Sequence, residues 1–177
     1  ELLLKNGADI HANNENVLKL ALHNQHKDVI ELLLKYGADI HNDNDYVLRM
    51  AAEYNTDIIE LLLKYGANIH AKNDWALRYA AENGHEDAVE LLLKNGANIH
   101  ANNDYALITA SHNGHKDVVE ILLRYGADIH NDNDYVLRTA VEYNYTDIVE
   151  LLLKYGANVH AQNDYALKCA SENGHKD

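Results

Sequence analysis

The sequence contains no proline and no phenylalanine, and it has only one cysteine, one methionine and one tryptophan. The absence of proline excludes collagen-like sequence and Pro-rich linkers. The single cysteine, Cys169, cannot form a disulfide within the chain, so the fold does not depend on an oxidising compartment. No apolar run approaches the roughly 18 residues that a membrane-spanning helix needs. We therefore expect an intracellular protein without membrane contact.

Basic residues are also scarce, with 15 Lys and Arg against 28 Asp and Glu, which gives a formal net charge of −13. Binding to nucleic-acid phosphates requires a basic stripe, so the charge argues against DNA or RNA as a partner. The same charge favours a protein partner with a basic patch, chiefly by steering its approach.

One phrase recurs throughout the chain. ELLLKNGADIH at Glu1 returns in close variants at Glu31, Glu60, Glu90, Glu120 and Glu150. Such a period predicts a repeat array in which each unit touches its neighbours. We expect an excerpt of a longer array, because the chain starts inside a second helix and stops at Asp177. The single array 1–177 divides into a partial repeat 1–14, repeats 15–44, 45–73, 74–103, 104–133 and 134–163, and a partial repeat 164–177.

Each unit has the pattern of a helical hairpin, as the copy from Asp74 illustrates. Asp74 is a favourable N-cap, whose carboxylate would accept bonds from the first free N–H groups of a helix. Apolar residues then follow at helical spacing until Gly84, which can end the helix in a left-handed conformation. A second helix buries Leu92 and ends at Gly96. The predicted fold class is therefore all-α, a solenoid of stacked helix-turn-helix repeats.

The stretch LRYAAENGHEDAVELLLKNGANI from Leu77 combines L-x-x-A-A-x-x-G-H with V-x-L-L-L-x-x-G-A-N-I. This pattern resembles the ankyrin repeat, and the resemblance covers the entire chain. The family unit has 33 residues and opens with T-P-L-H, whereas this unit has 30 and reads Trp75-Ala76-Leu77-Arg78. The missing residues fall in the connector, so the resemblance implies shortened β-hairpins. The 30-residue form resembles ankyrin arrays of giant DNA viruses of amoebae, which would place the protein in the host cytoplasm.

The resemblance implies a non-enzymatic protein-binding scaffold that uses the concave face of the first helices and the connectors. Two alternatives stay open: a structural or self-associating virion component, and a recruitment module attached to a domain outside the excerpt. The oligomeric state is also open, with a monomer among the possibilities. Large or varied residues on this face are the candidate partner-binding residues: Met50, Tyr54, Trp75, Tyr79, Asn83, Tyr105, Thr109, Asn113, Thr139 and Tyr143.

An aromatic residue follows the capping aspartate in most units. We expect these rings to pack against the next unit, and a second role in binding stays open. We call them the aromatic ladder: Tyr46, Trp75, Tyr105, Tyr135 and Tyr165.

Twelve histidines suggest a metal site, but their spacing argues against one. Zinc needs donors that converge at about 2.0–2.1 Å, whereas six histidines recur once per repeat: His11, His41, His70, His100, His130 and His160. The family carries Asn at this position, bonded within the loop, and the resemblance implies that His takes the same role. The NDND segments at 42–45 and 131–134 lack the Gly and Glu of a calcium loop and read as solvated turns. We predict no metal, no cofactor and no catalytic residue.

Overall fold

The computed structural model describes residues 1–54 and 56–176, and it describes their side chains except at 12–16 and 54. Helices and turns make up this part of the chain, which contains no strand. The second helices are Leu2–Lys5 (α1), Lys27–Lys35 (α3), Thr56–Lys64 (α5), Glu86–Lys94 (α7), Lys116–Arg124 (α9) and Thr146–Lys154 (α11). The first helices are Ala12–His23 (α2), Asn42–Tyr54 (α4), Ala71–Glu82 (α6), Tyr105–His112 (α8), Asn131–Glu142 (α10) and Ala161–Asn173 (α12).

These helices form two parallel rows. The first helices stack on one another from α2 to α12, and the second helices stack from α3 to α11. Each first helix also packs against the second helix that follows it. The all-helical solenoid predicted from the repeat is therefore confirmed.

The core is the seam between the two rows, and the same positions fill it in the internal repeats. Leu77 and Leu107 from the first helices are 1% and 0% exposed, and Leu92 and Leu122 from the second helices are both 0% exposed. Alanine at 80 is fully buried where neighbouring first helices meet. Since an alanine side chain occupies little volume, the helices can approach closely and exclude water.

Glycine ends these helices where the sequence predicts. Gly84 follows α6 with φ of 74°, and Gly96 follows α7 with φ of 93°. Gly84 is also restricted by space, because an added Cβ would lie 2.7 Å from His115 Nδ1 of the next repeat. The glycine thus ends a helix and provides room for the neighbouring ring.

The connectors contain a feature that the sequence analysis missed, a left-handed turn of three successive non-glycine residues. In one copy, Asn102, Asn103 and Asp104 have φ values of 55°, 57° and 54°. The same conformation occurs at 43–45, 72–74, 132–134 and 162–164, which lie at the start of the ranges of α4, α6, α10 and α12 and separate one helical residue from the rest of each helix. Asn and Asp tolerate this region better than other non-glycine residues because their short polar side chains bond locally. The turn stands where longer ankyrin units have room for a hairpin.

This turn overturns the prediction that Asp74 caps its helix. Asp74 is itself left-handed, and its carboxylate accepts hydrogen bonds from His70 and from the next repeat. At the equivalent Asp104, the residue before α8, no side-chain capping bond forms. The capping prediction is therefore wrong, because the handedness of the turn directs the carboxylate away from its own helix.

Removal of a seam leucine should destabilise the array. Leu92→Ala deletes a fully buried side chain and leaves a cavity, so the free energy of unfolding should fall by about 2–5 kcal/mol. Leu153→Ala is the matched control, because Leu153 is 42% exposed on the equivalent row. Urea unfolding followed by circular dichroism measures both, and equal losses would contradict the assignment of the seam.

The stability of the left-handed turn should depend on how readily each of its residues adopts a positive φ. Asn103→Val places a β-branched residue at positive φ and should cost about 1–2 kcal/mol of stability. Asn103→Gly removes the same side chain but accepts the conformation, so it should retain more stability than the valine variant. Thermal unfolding of the two variants compares them directly, and a valine variant as stable as the glycine variant would refute the turn.

Candidate functional site

A buried aspartate joins each connector to the next. Asp104 is 4% exposed, and its Oδ1 accepts a bond from the backbone N–H of Asp128, 24 residues later, at 2.8 Å. The same oxygen accepts a bond from His100 Nδ1 at 3.0 Å. We call this arrangement the aspartate bridge. Equivalent bridges join Asp45 to the N–H of Asn68, Asp74 to that of Asn98, and Asp134 to that of Asn158, at 2.7–2.8 Å.

The bridge accounts for most of the periodic histidines. His41, His70, His100, His130 and His160 each place Nδ1 beside the aspartate four residues later. A second group bonds between repeats instead: His115 Nε2 lies 3.0 Å from the Glu82 carbonyl, and His175 Nε2 lies 3.2 Å from that of Glu142. In the part of the chain that the structure describes, no three His, Cys, Asp or Glu residues are grouped to hold a metal ion.

Arginine side chains separate the rings of the aromatic ladder. The Cζ atom of Arg49 lies 5.6 Å from the ring centroid of Tyr46 and 5.3 Å from that of Trp75 in the next repeat. Arg138 lies 5.1 Å from Tyr135 and 5.6 Å from Tyr165. At these two steps the ladder packs from repeat to repeat through an intervening guanidinium, which is attracted to the ring faces.

These arginines are also anchored on the left-handed turns. The Nη2 atom of Arg49 donates to the Asp43 carbonyl at 2.9 Å, and Arg78 and Arg138 make the same bond at 3.1 and 2.9 Å. Arg78 in addition lies 5.5 Å from the centroid of Tyr105. We call the rings and cations together the aromatic–arginine row. Its arginines are not among the residues predicted from the sequence, although Arg49, Arg78 and Arg138 each follow a ladder aromatic by three residues.

Three candidate residues lie on α4 and α6, and two of them are in contact. Trp75 and Tyr79 are half-buried and stack with centroids 4.4 Å apart. Burial raises the pKa of the Tyr79 phenol, and the carboxylate of Glu53, to which it is hydrogen-bonded, raises it further. Met50 is half-buried and packs against the core. This part of the first-helix face is therefore a rigid aromatic surface.

A second aromatic group surrounds Tyr143, whose side chain is 47% exposed. The ring of His112 meets it edge-on at 4.9 Å, and the ring of Tyr145 stacks on it at 5.9 Å. The exposed Asn113 lies one residue beyond His112 and donates to the Glu82 carbonyl of the preceding repeat at 2.7 Å. Asn83, also exposed, donates to the Tyr79 carbonyl of its own helix at 2.8 Å.

The remaining candidate partner-binding residues differ in their exposure to solvent. Tyr105 is 37% exposed and available on the surface. Thr109 and Thr139 are 8% and 3% exposed, so their column does not face solvent throughout the array. The Thr109 hydroxyl donates to the Tyr105 carbonyl one turn earlier, the usual way in which a helix accommodates threonine. The side chain of Tyr54 lies outside the described residues.

Comparison with known families tests the resemblance. The family profile described as ankyrin repeats (3 copies) matches residues 1–73, 41–103 and 77–163. The chain belongs to the ankyrin-repeat family. Comparison with curated proteins gives no match. Ankyrin repeats are in general non-enzymatic modules of protein–protein interaction. None of the helices in the described part of this ankyrin array has the length and hydrophobicity that crossing a bilayer requires.

The aspartate bridge should stabilise the ankyrin stack at every internal repeat. Asp104→Ala leaves the backbone N–H of Asp128 without its acceptor, which should cost about 1–3 kcal/mol. Asp164→Ala is the matched control, because Asp164 bonds to His160 and its side chain is 51% exposed. Chemical unfolding should separate the two variants. Equal stability of Asp104→Ala and the unsubstituted chain would show that the bridge contributes nothing.

Proposed function

We propose that this chain is a non-enzymatic scaffold that binds a protein partner through its first-helix face and connectors. The observation that carries the proposal is the exposed aromatic group at Tyr143, together with the stacked pair Trp75 and Tyr79 on another first helix. Aromatic side chains are enriched among residues that dominate binding energy, because they provide a large contact area with few rotamers.

The packing around Tyr143 supports its assignment as an anchor. Its ring already contacts His112 and Tyr145 in the free protein, so little side-chain entropy remains to be lost on binding. A ring that is held in place but 47% exposed is suited to insertion against a partner. The stacking of Trp75 on Tyr79 restricts the second group in the same way.

The charge of the chain supports a basic partner. The net charge of −13 attracts positively charged surfaces over distances of about a Debye length, near 8–10 Å at physiological salt. This attraction increases the association rate more than the final affinity. We therefore propose a partner whose docking surface carries Lys or Arg around an apolar centre.

Self-association is a second candidate, and exposed apolar residues near α1 favour it. Leu2 and Leu3 are 76% and 77% exposed, and an apolar groove beside them is lined by Leu4, Ile10 and Val29 among others. Either a further repeat of the array or a second copy would cover this groove, and the second arrangement is the one expected of a structural component of a virion. The 30-residue unit supports such a viral origin. Sedimentation velocity over a range of concentrations distinguishes a self-associating chain from a monomeric scaffold.

The anchor can be tested with a tyrosine pair. Tyr143→Ala should weaken binding of a partner isolated with the intact protein by about 2 kcal/mol or more, while the stability of an exposed site should change by about 0.5 kcal/mol or less. Tyr125→Ala is the control, because Tyr125 is 37% exposed and ends a second helix. Titration calorimetry measures both affinities. If Tyr125→Ala lowers the affinity for the partner and Tyr143→Ala does not, the partner binds the second helices instead.

A further inference from the structure

The aromatic–arginine row is interrupted at one repeat. The position three residues after Tyr105 holds Ile108, whereas the equivalent positions hold Arg49, Arg78 and Arg138. Within the described residues, no arginine or lysine joins the ring of Tyr105 to that of Tyr135. Ile108 is half-buried and packs against the core, and it carries no charge with which to join the two rings. This position differs from every intact step of the row.

The hydrogen bonds of the missing arginine are only partly replaced. Arg49 and Arg78 donate from Nε to the carbonyls of Asn44 and Asn73, and the equivalent carbonyl of Asn103 accepts a bond from Asn131 Nδ2 at 2.8 Å. The Asn102 carbonyl is equivalent to the carbonyls that accept a bond from arginine Nη2 in three other repeats. It accepts no hydrogen bond from the described residues.

A compensating change accompanies the interruption. The connector after each of Arg49, Arg78 and Arg138 carries alanine at one equivalent position, which is 71, 101 and 161. The connector after Ile108 carries Asn131 at that position. Asn131 supplies one backbone bond without supplying a positive charge. The gap therefore keeps two ring faces and one carbonyl oxygen, the groups to which a guanidinium binds elsewhere in the row.

We propose that an arginine of the partner enters this gap between Tyr105 and Tyr135, above Ile108. The inference rests on the proposed function and specifies the chemistry of its partner. The guanidinium would lie on the two rings and donate to the Asn102 carbonyl, as the Arg49 guanidinium lies between Tyr46 and Trp75 and donates to the Asp43 carbonyl. The Arg138 guanidinium provides the same template, because it lies on Tyr135 and Tyr165 and donates to the Asp132 carbonyl.

The surroundings favour arginine over other side chains. The exposed carboxylate of Asp132, adjacent to Asn131, has 66% side-chain exposure and lies 3.8 Å from Arg138 Nη2. With the chain's net charge of −13, it disfavours an acidic side chain. Lysine could contact a ring, as Lys19 does at 5.0 Å from Tyr46. A planar guanidinium can lie flat between two rings while its edge donates to a carbonyl, whereas a lysine ammonium has no planar face to stack on a ring.

The probe is a capped pentapeptide, acetyl-Gly-Gly-Arg-Gly-Gly-amide, with a citrulline peptide of the same shape but no charge as its control. Titration of the full 177-residue chain is followed by the tyrosine ring signals in NMR. The arginine peptide should shift Tyr105 and Tyr135, with a dissociation constant in the millimolar range. Citrulline should bind about tenfold more weakly, since it lacks the positive charge. Equal binding of the two peptides would overturn the proposal.

Filling the gap from within the chain provides the decisive variant. Ile108→Arg should restore the row and abolish the shifts at Tyr105 and Tyr135, whereas Ile108→Leu should leave them unchanged. Arg138→Ile opens a second gap, so the peptide should then also shift Tyr165. Circular dichroism confirms that each variant is folded, and Ile108→Lys replaces Ile108→Arg if the latter does not fold. Unchanged peptide affinity in the filled variant would refute the site.

The arginine site and the proposed scaffold function can each fail their test independently of the other. If Tyr143→Ala weakens partner binding while Ile108→Arg changes neither partner nor peptide binding, the scaffold function stands and the arginine site fails. If the peptide binds at the gap while Tyr143→Ala has no effect on the partner, the arginine site stands without that anchor. Concentration-dependent association that Ile108→Arg removes would identify a second copy as the occupant, and would overturn the proposal of a separate partner.

Discussion

The stack depends on the aspartate bridge, a buried carboxylate that accepts the backbone N–H of the next connector. A solenoid has no contacts between distant repeats, so its geometry is the sum of its nearest-neighbour interfaces. Leucine and alanine hold adjacent helices together, but apolar contacts alone permit sliding. A hydrogen bond of 2.7–2.8 Å, repeated at four interfaces, fixes the position of each connector. An unpaired carboxylate at 4% exposure would be costly, so the bridge also opposes alternative registers.

The bridge exists because the connector turns to the left. Three successive residues at φ near 49–58° are unfavourable for L-amino acids, and Asn and Asp occupy the second and third positions of every such turn. The turn ends on Asp104, whose carboxylate then faces its neighbour instead of its own helix. The arginines lock the same turn from outside, because Arg49, Arg78 and Arg138 donate to its carbonyl groups. One local conformation thus positions both the bridge and the aromatic–arginine row.

The helices and their ends could be predicted from the sequence, because they follow from local rules. Apolar spacing indicates the seam that contains Leu77 and Leu92, and Gly84 and Gly96 mark helix ends with positive φ. The prediction that Asp74 is an N-cap also follows from a local rule, but it is wrong. An aspartate before a helix is normally a cap, and only the handedness of the turn reveals that it bonds to Asn98.

The candidate surface was less predictable, because exposure depends on how neighbouring repeats meet. Variation from copy to copy predicts two solvent-facing columns on the first helices, but they differ in exposure: Thr109 and Thr139 of one column are buried, whereas Tyr143 of the other is 47% exposed. The ladder aromatics were expected to pack between repeats, but their contacts run through arginines that look like ordinary surface charges in sequence. Such a cation–ring contact joins residues about 26 positions apart, as Arg49 and Trp75 are, and no short motif encodes it.

Near-identity among repeats makes each local departure informative. A position that stays constant, such as the bridging aspartate, is required by the stack and cannot also distinguish one partner from another. Specificity must therefore reside where one copy differs from the rest at the surface without breaking the stack. Ile108 with Asn131 meets both conditions, because Asn131 preserves the bond to the Asn103 carbonyl while Ile108 removes the cation. The array keeps its geometry at that repeat. The site between Tyr105 and Tyr135 stays open there, whereas an arginine of the chain occupies the equivalent site between Tyr46 and Trp75.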